Sequence, residues 1–249
     1  IQTQDTDMSF SASIDGGRIE YAGSSLDTLF AQRRNLVNPF YWGMLGDILR
    51  FNRTAKQSLE TGDADGLSLG EYLDRGRFGR RLREHYLLPM AAAIWSCPTA
   101  TMTAFPATSF LHFFRNHGLL DLKNRPQWQT VTGGAGTYVD RILEDLGPAV
   151  HSERPAVRVG RADTGAWVRT DDGLLHNFDE IVLACHADEA LALIDEPSRD
   201  ERAVLGAFEY QENRTILHSD ATLMPRSRRV WSSWNYLTQS GAGGDRVSV

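Results

Sequence analysis

The residues that could do chemistry are scattered, and few stand at the spacing that a known reaction needs. Cys185 and His186 are neighbours, but successive side chains of a strand point to opposite faces, so they cannot act together as nucleophile and base. The seven histidines include no H-E-x-x-H motif and no pair four residues apart. The sequence therefore predicts no zinc site, and it contains no P-loop.

A glycine motif offers a partial dinucleotide signature. Gly134-Ala135-Gly136 lies between a predicted strand and a predicted helix, and Glu153 follows at about the 20-residue offset of a ribose-binding acid. The third glycine is missing, and the preceding strand Trp128–Val131 is short and polar, unlike a buried central strand. The motif therefore favours a tight turn that begins a helix.

Aromatic residues near the end of the chain form a candidate substrate pocket. Trp234 and Tyr236 would share one face of a strand, with Trp231 on the other face, which suits either a packed sheet or an aromatic pocket wall. Packing is favoured, because most aromatic stripes are core. We assign Trp231, Trp234, Tyr236 and His112 to the candidate pocket.

Composition predicts a folded domain. The 249 residues are 41% hydrophobic and 23% charged with a formal net charge of -6, which argues against disorder and against a nucleic-acid surface. The apolar run around Leu87–Trp95 is interrupted by Pro89 and is too short to cross a bilayer. The two cysteines and the absence of a signal-peptide pattern favour a cytoplasmic location, with both thiols free and buried.

The elements that would position these residues change character along the chain. Alternating residues from Met8 to Tyr21 predict a β-hairpin. Periodic apolar residues predict a helix over Pro39–Thr61, Ser68 begins a capping box, and two buried helices follow over Tyr86–Trp95 and Pro106–His117. The first half is therefore mainly helical.

Strands dominate the second half. Helices are predicted over Tyr138–Leu146, over Ala187–Ile194 and after the capping box at Ser198. The predicted strands are Trp128–Val131, Ala156–Arg161, Trp167–Thr170, Leu174–Asn177, Asp179–Ala184, Glu209–His218 and Val230–Tyr236. The pattern predicts a mixed fold of the α+β or α/β class.

The order of three segments resembles the middle of flavin-dependent amine oxidoreductases, a superfamily that includes monoamine oxidases, protoporphyrinogen oxidase and phytoene desaturases. Those segments are Gln127–Gly134, Glu153–Val159 and Phe178–Ala184. More specific motifs are similar to a bacterial subgroup of NAD/FAD-binding, amine-oxidase-like proteins. They are Asp7–Ser11, His85–Met90, Ala93–Pro98, Asn116–Leu119, Arg125–Trp128, Ala184–Asp188 and Trp231–Leu237.

The resemblance implies a domain organisation. Residues 126–195 would be the returning segment of an FAD-binding, glutathione-reductase-like domain. Residues 1–125 and 196–249 would form a substrate domain with an antiparallel sheet and a helical region. The family's G-x-G-x-x-G unit and its closing glycine-rich segment are not in these residues, so we expect a central fragment that does not bind FAD alone.

The same resemblance implies cofactor-binding residues. Ala156 and Val157 match the strand whose backbone meets the adenine end of FAD, and a backbone contact tolerates alanine where the family usually has valine. Ala184, Cys185 and His186 match the strand end that approaches the dinucleotide. Gly133 and Gly134 match a turn with a more structural role.

Catalysis departs from the family pattern. Many amine oxidases place a lysine near the flavin, but the matching strand Glu209–His218 has none, and the chain holds only Lys56 and Lys123. Arg214 is the nearest cation and the weak candidate for a catalytic residue, although an always-charged guanidinium cannot transfer protons as a tuned lysine can. Amine oxidation by the parent protein is therefore in doubt.

We thus expect a piece of an FAD-dependent oxidoreductase that oxidises or desaturates a small, hydrophobic substrate. The aromatic content of the helical half suits such a substrate, although it equally suits a plain core. The alternative is a non-catalytic module that binds a partner or a lipid without flavin. The expected partner is a small molecule and not nucleic acid, and the sequence does not specify an oligomeric state.

Overall fold

The computed structural model describes residues 1–97, 99–121, 126–210, 212, 214–238 and 246–248. The chain divides into two compact units. Unit 1 comprises Ile1–Thr132 and Thr215–Val249, and unit 2 comprises Gly133–Arg214. The predicted boundaries after residues 125 and 195 separate an FAD domain from a substrate domain. That assignment stays a prediction.

Strands and helices alternate irregularly along the chain. The strands are β1 (Thr3–Thr6), β2 (Phe10–Ile14), β3 (Ile19–Ala22), β4 (Trp128–Val131), β5 (Ala156–Arg161), β6 (Ala166–Thr170), β7 (Leu175–Phe178), β8 (Trp234–Leu237) and β9 (Arg246–Ser248). The helices are α1 (Leu26–Leu29), α2 (Pro39–Thr61), α3 (Leu69–Arg75), α4 (Arg80–Leu82), α5 (Leu88–Trp95), α6 (Thr99–Met102), α7 (Ala107–Asn116), α8 (Gly136–Leu146), α9 (Ala187–Leu193) and α10 (Arg199–Leu205). This is the mixed α and β fold that the sequence predicts.

The main sheet of unit 1 has the strand order β3-β2-β8-β9. Strands β2 and β3 form the predicted hairpin, which reverses at Asp15, Gly16 and Gly17, all with positive φ. Strand β8 pairs parallel to β2, so that Ala12 lies opposite Tyr236. The parallel pairing brings the end of the chain beside its beginning. Strands β1 and β4 form a separate antiparallel pair.

The long helix α2 supplies much of the core of unit 1. The side chain of Asn38 accepts a hydrogen bond from the backbone N–H of Phe40 at 3.0 Å, and Gly62 ends the helix in the left-handed conformation. The buried face of α2 is Tyr41, Met44, Ile48, Phe51 and Ala55. Helix capping and apolar periodicity thus agree with the predicted bounds.

Ser68 begins α3 through the predicted capping box. Its hydroxyl accepts a hydrogen bond from the backbone N–H of Glu71 at 3.2 Å, and the Glu71 carboxylate accepts one from the Ser68 backbone at 2.8 Å. The segment Gly66–Gly70 also matches the pattern G-x-S-x-G, which is typical of a hydrolase nucleophile elbow. Because Ser68 caps a helix and does not follow a strand, the pattern here is a helix start.

Unit 2 contains the three-stranded antiparallel sheet β5-β6-β7, with α9 following. Residue 160 of β5 is glycine because a Cβ atom there would lie 2.3 Å from the Trp167 ring. The buried hydrophobic residues described in unit 2 are Val159 and Ala190. Helix α8 has no buried residue and exposes Tyr138, Val139, Ile142, Leu143 and Leu146.

Two predicted strands are wrong. The segment Asp179–Ala184 is not a strand, and Val182 is 88% exposed. The described part of Glu209–His218 is not a strand either, while Gln211 and Asn213 lie outside the described residues. An apolar run becomes a strand only where a neighbouring strand offers ladder hydrogen bonds, and no described strand pairs with either segment.

The last predicted strand begins later than expected. Residues Arg228–Val230 form a 3₁₀ turn, and β8 starts at Trp234, so Trp231 does not belong to the strand. The indole N–H of Trp231 donates to the Pro225 carbonyl at 2.8 Å, which holds the ring against its own loop.

Both cysteines are free, but neither is fully buried: Cys97 is half-buried and Cys185 is exposed. Cys185 is exposed because the preceding segment is not in a sheet. Among the helices that the structure describes, none has the length and apolar character that a membrane crossing needs.

Candidate functional site

A cavity of about 880 Å³ opens in unit 1. Its wall combines the hairpin turn of β2 and β3, the approach to α2, the segment from α4 to α5, and the end of β8. Its lining includes Asp15, Arg18, Arg34, Phe40, Arg80, Glu84, His85, Leu88, Pro89 and Tyr236. The volume lies within the range of about 300–1,000 Å³ that is typical of small-molecule pockets.

Local backbone structure places the charged residues on this wall. Arg18 follows the hairpin turn, and Arg34 lies in the 3₁₀ turn that precedes α2. The guanidinium of Arg34 donates to the backbone carbonyl of Arg18 at 2.5 Å, which holds the two residues together. His85 lies in a π-helical turn, and the hydroxyl of buried Tyr21 donates to its carbonyl at 2.5 Å.

The charges on the wall are unequally paired. Arg80 donates two hydrogen bonds to Glu84, at 2.9 and 2.8 Å, and Arg80 lowers the pKa of that carboxyl group. Arg18 and Arg34 form no ion pair with an acidic side chain in the part of the chain that the structure describes. Two guanidinium groups of this cavity are therefore available to a ligand.

His85 presents an unsatisfied polar atom. Its Nδ1 is buried and has no hydrogen-bond partner among the described residues, and its ring meets the ring of Phe40 edge to face at 5.4 Å. Burial lowers the pKa of His85 below its usual value of 6.5, so the ring is neutral near pH 7. A buried nitrogen without a partner costs free energy unless a ligand or water bonds to it.

We expect His85 to make folding stability depend on pH. Burial is the main cause of its lowered pKa, Arg80 and Arg18 also oppose protonation, and Glu84 and Asp15 favour it. The unfolded chain binds the proton more readily, so stability decreases as pH falls through about 6.5 and levels off below the lower folded pKa. Urea unfolding from about pH 8 to about pH 5 measures this decrease.

The variant His85→Gln is expected to show a smaller decrease in stability over the same pH interval, because glutamine does not titrate. An equal decrease in the variant and in the original protein would contradict the assignment to His85.

The four residues of the predicted aromatic pocket are not brought together. Tyr236 is buried in the cavity wall. Trp234 lies on the same face of β8 as Tyr236, opposite Phe10 of β2. Trp231 packs on its own loop under the guanidinium of Arg228, 5.6 Å from the ring centre. His112 lies on α7 and bonds to Arg115 at 2.9 Å. Their shared role in substrate binding stays a prediction. The position of Tyr236 in the cavity wall is the observation that supports it best.

The predicted adenine contact lies on an edge strand of unit 2. Ala156 pairs with Thr170 and Arg158 with Arg169, so Val157 has no partner residue on β6. The side chain of Val157 is 48% exposed. The outer edge of β5 is already paired at Val159, whose carbonyl accepts a hydrogen bond from the Asp195 backbone N–H at 2.7 Å. A residue without a ladder partner, as Val157 is on β6, fits a ligand that hydrogen-bonds to backbone N–H and C=O groups, as an adenine ring does.

The remaining predicted cofactor residues occupy two other places. Gly133 and Gly134 form the turn before α8 with positive φ, and a Cβ at Gly134 would meet no atom within 4 Å. Ala184 and Cys185 lie in the irregular segment before α9. His186 precedes α9 and stacks on Tyr210 with ring centres 4.6 Å apart. Among the described residues, no hydrogen bond or ring contact joins these groups to Ala156 or Val157.

The catalytic role of Arg214 stays a prediction. Arg214 is exposed and lies at the boundary of unit 2, not on a strand. Lys56 forms an ion pair with Asp121 at 2.5 Å, and Lys123 lies outside the described residues. Within the described ranges, no group of three or more His, Cys, Asp or Glu side chains could hold a metal ion.

Sequence reasoning did not identify the charged residues of the cavity. Arg18, Arg34 and His85 are far apart in the chain and match no motif of the kind that spacing reveals. The glycine turn before Arg18 and the Arg33-Arg34 pair were visible signals, but only the fold joins them.

Comparisons with solved structures find the same fold in putrescine oxidase. A double mutant from a structure-based redesign of cofactor binding in that enzyme matches with 18% identity and a TM-score of 0.60. A triple mutant from the same redesign matches with 18% identity and a TM-score of 0.54. Each alignment covers 82% of this chain and 47% of the other, so this chain spans about half of their length.

A comparison with curated proteins finds no match. The family model of the flavin containing amine oxidoreductases matches residues 16–215, which is most of the chain and covers all of unit 2 and part of unit 1. The cavity-lining residues from Arg18 to Thr99 and the strand with Val157 lie within the matched range. The chain belongs to the family of flavin containing amine oxidoreductases.

Proposed function

We propose that this chain is part of an FAD-dependent oxidoreductase that oxidises or desaturates a small organic molecule. The observation that carries the proposal is the family match over residues 16–215. In such an enzyme FAD would supply the capacity to accept a hydride, while the residues of the protein would orient the substrate and keep the site dry.

Val157 would hold the adenine end of FAD through its backbone. Its place on an edge strand, without a partner residue on β6, supports this role. Ala156, Gly133, Gly134 and the segment 184–186 remain the other proposed cofactor residues on the strength of the family pattern.

The cavity of unit 1 would bind and orient the substrate. Apolar side chains of Phe40, Leu88 and Pro89 line it beside the buried Tyr236. Such a surface excludes water from a bound molecule and fixes its position by contact. The apolar side chains support a hydrophobic substrate, which is part of the proposal, although charged side chains also line this cavity.

Amine oxidation is the less supported reaction within this class. Putrescine oxidase has the same fold, but an identity of 18% supports the fold alone. Lys56 lies on α2 and is held in an ion pair by Asp121. We therefore propose oxidation or desaturation at a carbon centre, and we keep oxidation of an amine as the alternative substrate chemistry.

A visible absorbance spectrum tests the proposal. The protein is expressed from its whole gene, purified, and compared with the 249-residue chain before and after addition of FAD. We expect flavin bands in the whole-gene protein. A colourless protein that stays colourless after added FAD would contradict the proposal and would favour the alternative, a flavin-free binding module.

Two substitutions at one position examine the adenine contact. Val157→Pro removes the backbone N–H and is expected to lower FAD occupancy, because proline cannot donate a hydrogen bond. Val157→Ala keeps the backbone groups and serves as the matched control with normal occupancy. Circular dichroism confirms that both variants fold. Equal FAD occupancy in the two folded variants would exclude the backbone N–H as a contact.

A further inference from the structure

We propose that the cavity of unit 1 binds a mono-anionic organic acid, with its carboxylate between Arg18 and Arg34 and its apolar body against Phe40, Leu88 and Pro89. Binding itself does not depend on the proposed function. The further statement that this acid is the substrate rests on the proposed oxidoreductase. The class of ligand follows from charge, from an unsatisfied buried atom and from the shape of the lining.

Charge pairing favours an anion. Arg80 is neutralised by Glu84 through two hydrogen bonds, whereas Arg18 and Arg34 have no acidic partner in the described chain. Asp15, exposed at the hairpin turn, offsets one of these two charges. When His85 is neutral, the cavity lining therefore carries a net charge of one positive unit. This charge matches a carboxylate better than a dianionic phosphate ester.

The geometry of the arginines also favours a carboxylate. One N–H of Arg34 bonds to the Arg18 carbonyl, and this bond holds its guanidinium beside residue 18. The other donors of both side chains remain for a ligand, and planar guanidinium groups match the two oxygens of a carboxylate. The contact with the backbone pre-orders Arg34, so less side-chain entropy is lost on binding.

His85 provides an independent observation that points to a ligand. Its Nδ1 is buried without a partner, whereas the other such side-chain atom in the described residues, Oδ1 of Asn52, belongs to a residue outside the cavity lining. Neutral imidazole can present an N–H at Nδ1 and donate it to a carboxylate oxygen. Because Nδ1 is closed to solvent, this bond would form when the imidazole ring turns toward the cavity, and it would then satisfy a group that the protein leaves unpaired.

Isothermal titration calorimetry with octanoate tests the proposal on the whole-gene protein. We expect octanoate to bind, and we expect neutral octanamide, which has the same tail, to bind at least about tenfold more weakly, because it forms no charge-assisted hydrogen bonds. Arg18→Gln and Arg34→Gln should each weaken octanoate binding about tenfold or more. Arg53→Gln removes an exposed charge from α2, outside the lining, and is the matched control with unchanged affinity.

Proton NMR locates the site. The His85 ring signal, identified by its loss in His85→Gln, is expected to shift when octanoate is added. Several results would overturn the proposal: no octanoate binding, equal affinity for octanamide, tighter binding of octylamine or octyl phosphate, or full affinity in the folded Arg18→Gln/Arg34→Gln variant. An unmoved His85 signal despite binding would place octanoate elsewhere and would also overturn it.

The calorimetry uses no flavin, and the absorbance spectrum uses no acid, so the two proposals can fail separately. Binding of octanoate to a colourless protein would support the acid site and contradict the oxidoreductase. A yellow protein that does not bind octanoate would support the oxidoreductase and contradict the acid site.

Discussion

Phe110→Ala is expected to lower the free energy of unfolding by about 4 kcal/mol, the largest single effect we predict. Phe110 is fully buried in the core of unit 1. Its ring stacks on Phe114, with centres 4.2 Å apart, and on Trp95, with centres 5.6 Å apart. Truncation removes these contacts and leaves a cavity between α7 and α5 that a close-packed core cannot fill.

Urea unfolding measures the effect of Phe110→Ala. The matched control is Phe208→Ala, because Phe208 is 58% exposed and has little area to lose on truncation. We expect the control to change the free energy of unfolding by less than about 1 kcal/mol. A loss of the same size in both variants would contradict the core position of Phe110.

Glu20→Ala is expected to lower the free energy of unfolding by about 2–3 kcal/mol. Glu20 is 2% exposed, and its carboxylate accepts three hydrogen bonds. The donors are the Ser13 hydroxyl at 2.9 Å and the backbone N–H groups of Arg226 at 2.8 Å and Ser227 at 3.0 Å. Alanine leaves these donors without their acceptor and releases the loop before β8 from the hairpin.

Amide hydrogen exchange distinguishes this cause from a general loss of stability. In Glu20→Ala the amides of Arg226 and Ser227 should exchange faster than the rest of unit 1, because their acceptor is gone. Glu60→Ala, at an exposed position of α2, is the matched control and should leave both amides unchanged. Protection retained at these amides in Glu20→Ala would refute the role of the carboxylate.

Elements with local signals agree with prediction. The cap at Asn38, the left-handed Gly62 and the apolar period define α2 from neighbouring residues alone. The capping boxes at Ser68 and Ser198 likewise mark the starts of α3 and α10, since each is closed within four residues. Short-range hydrogen bonds and helical periodicity need no information from distant parts of the chain.

Elements that depend on a distant partner do not follow from local signals. The apolar run Asp179–Ala184 reads as a buried strand, yet no described strand pairs with it, and Val182 faces solvent. The same holds for the described part of Glu209–His218. A strand is stable only in a ladder, so its existence depends on residues that its own pattern does not contain.

The sequence by itself determined the helical first half, the hairpin at Asp15–Gly17, the strands β5, β6 and β7 and, through its motifs, the family. Only the tertiary structure decided that Ala12 lies opposite Tyr236, and that Arg18, Arg34 and His85 line one cavity. The physical reason is that caps, turns and periodicity act over a few residues, whereas a cavity depends on the packing of segments that are distant in the chain.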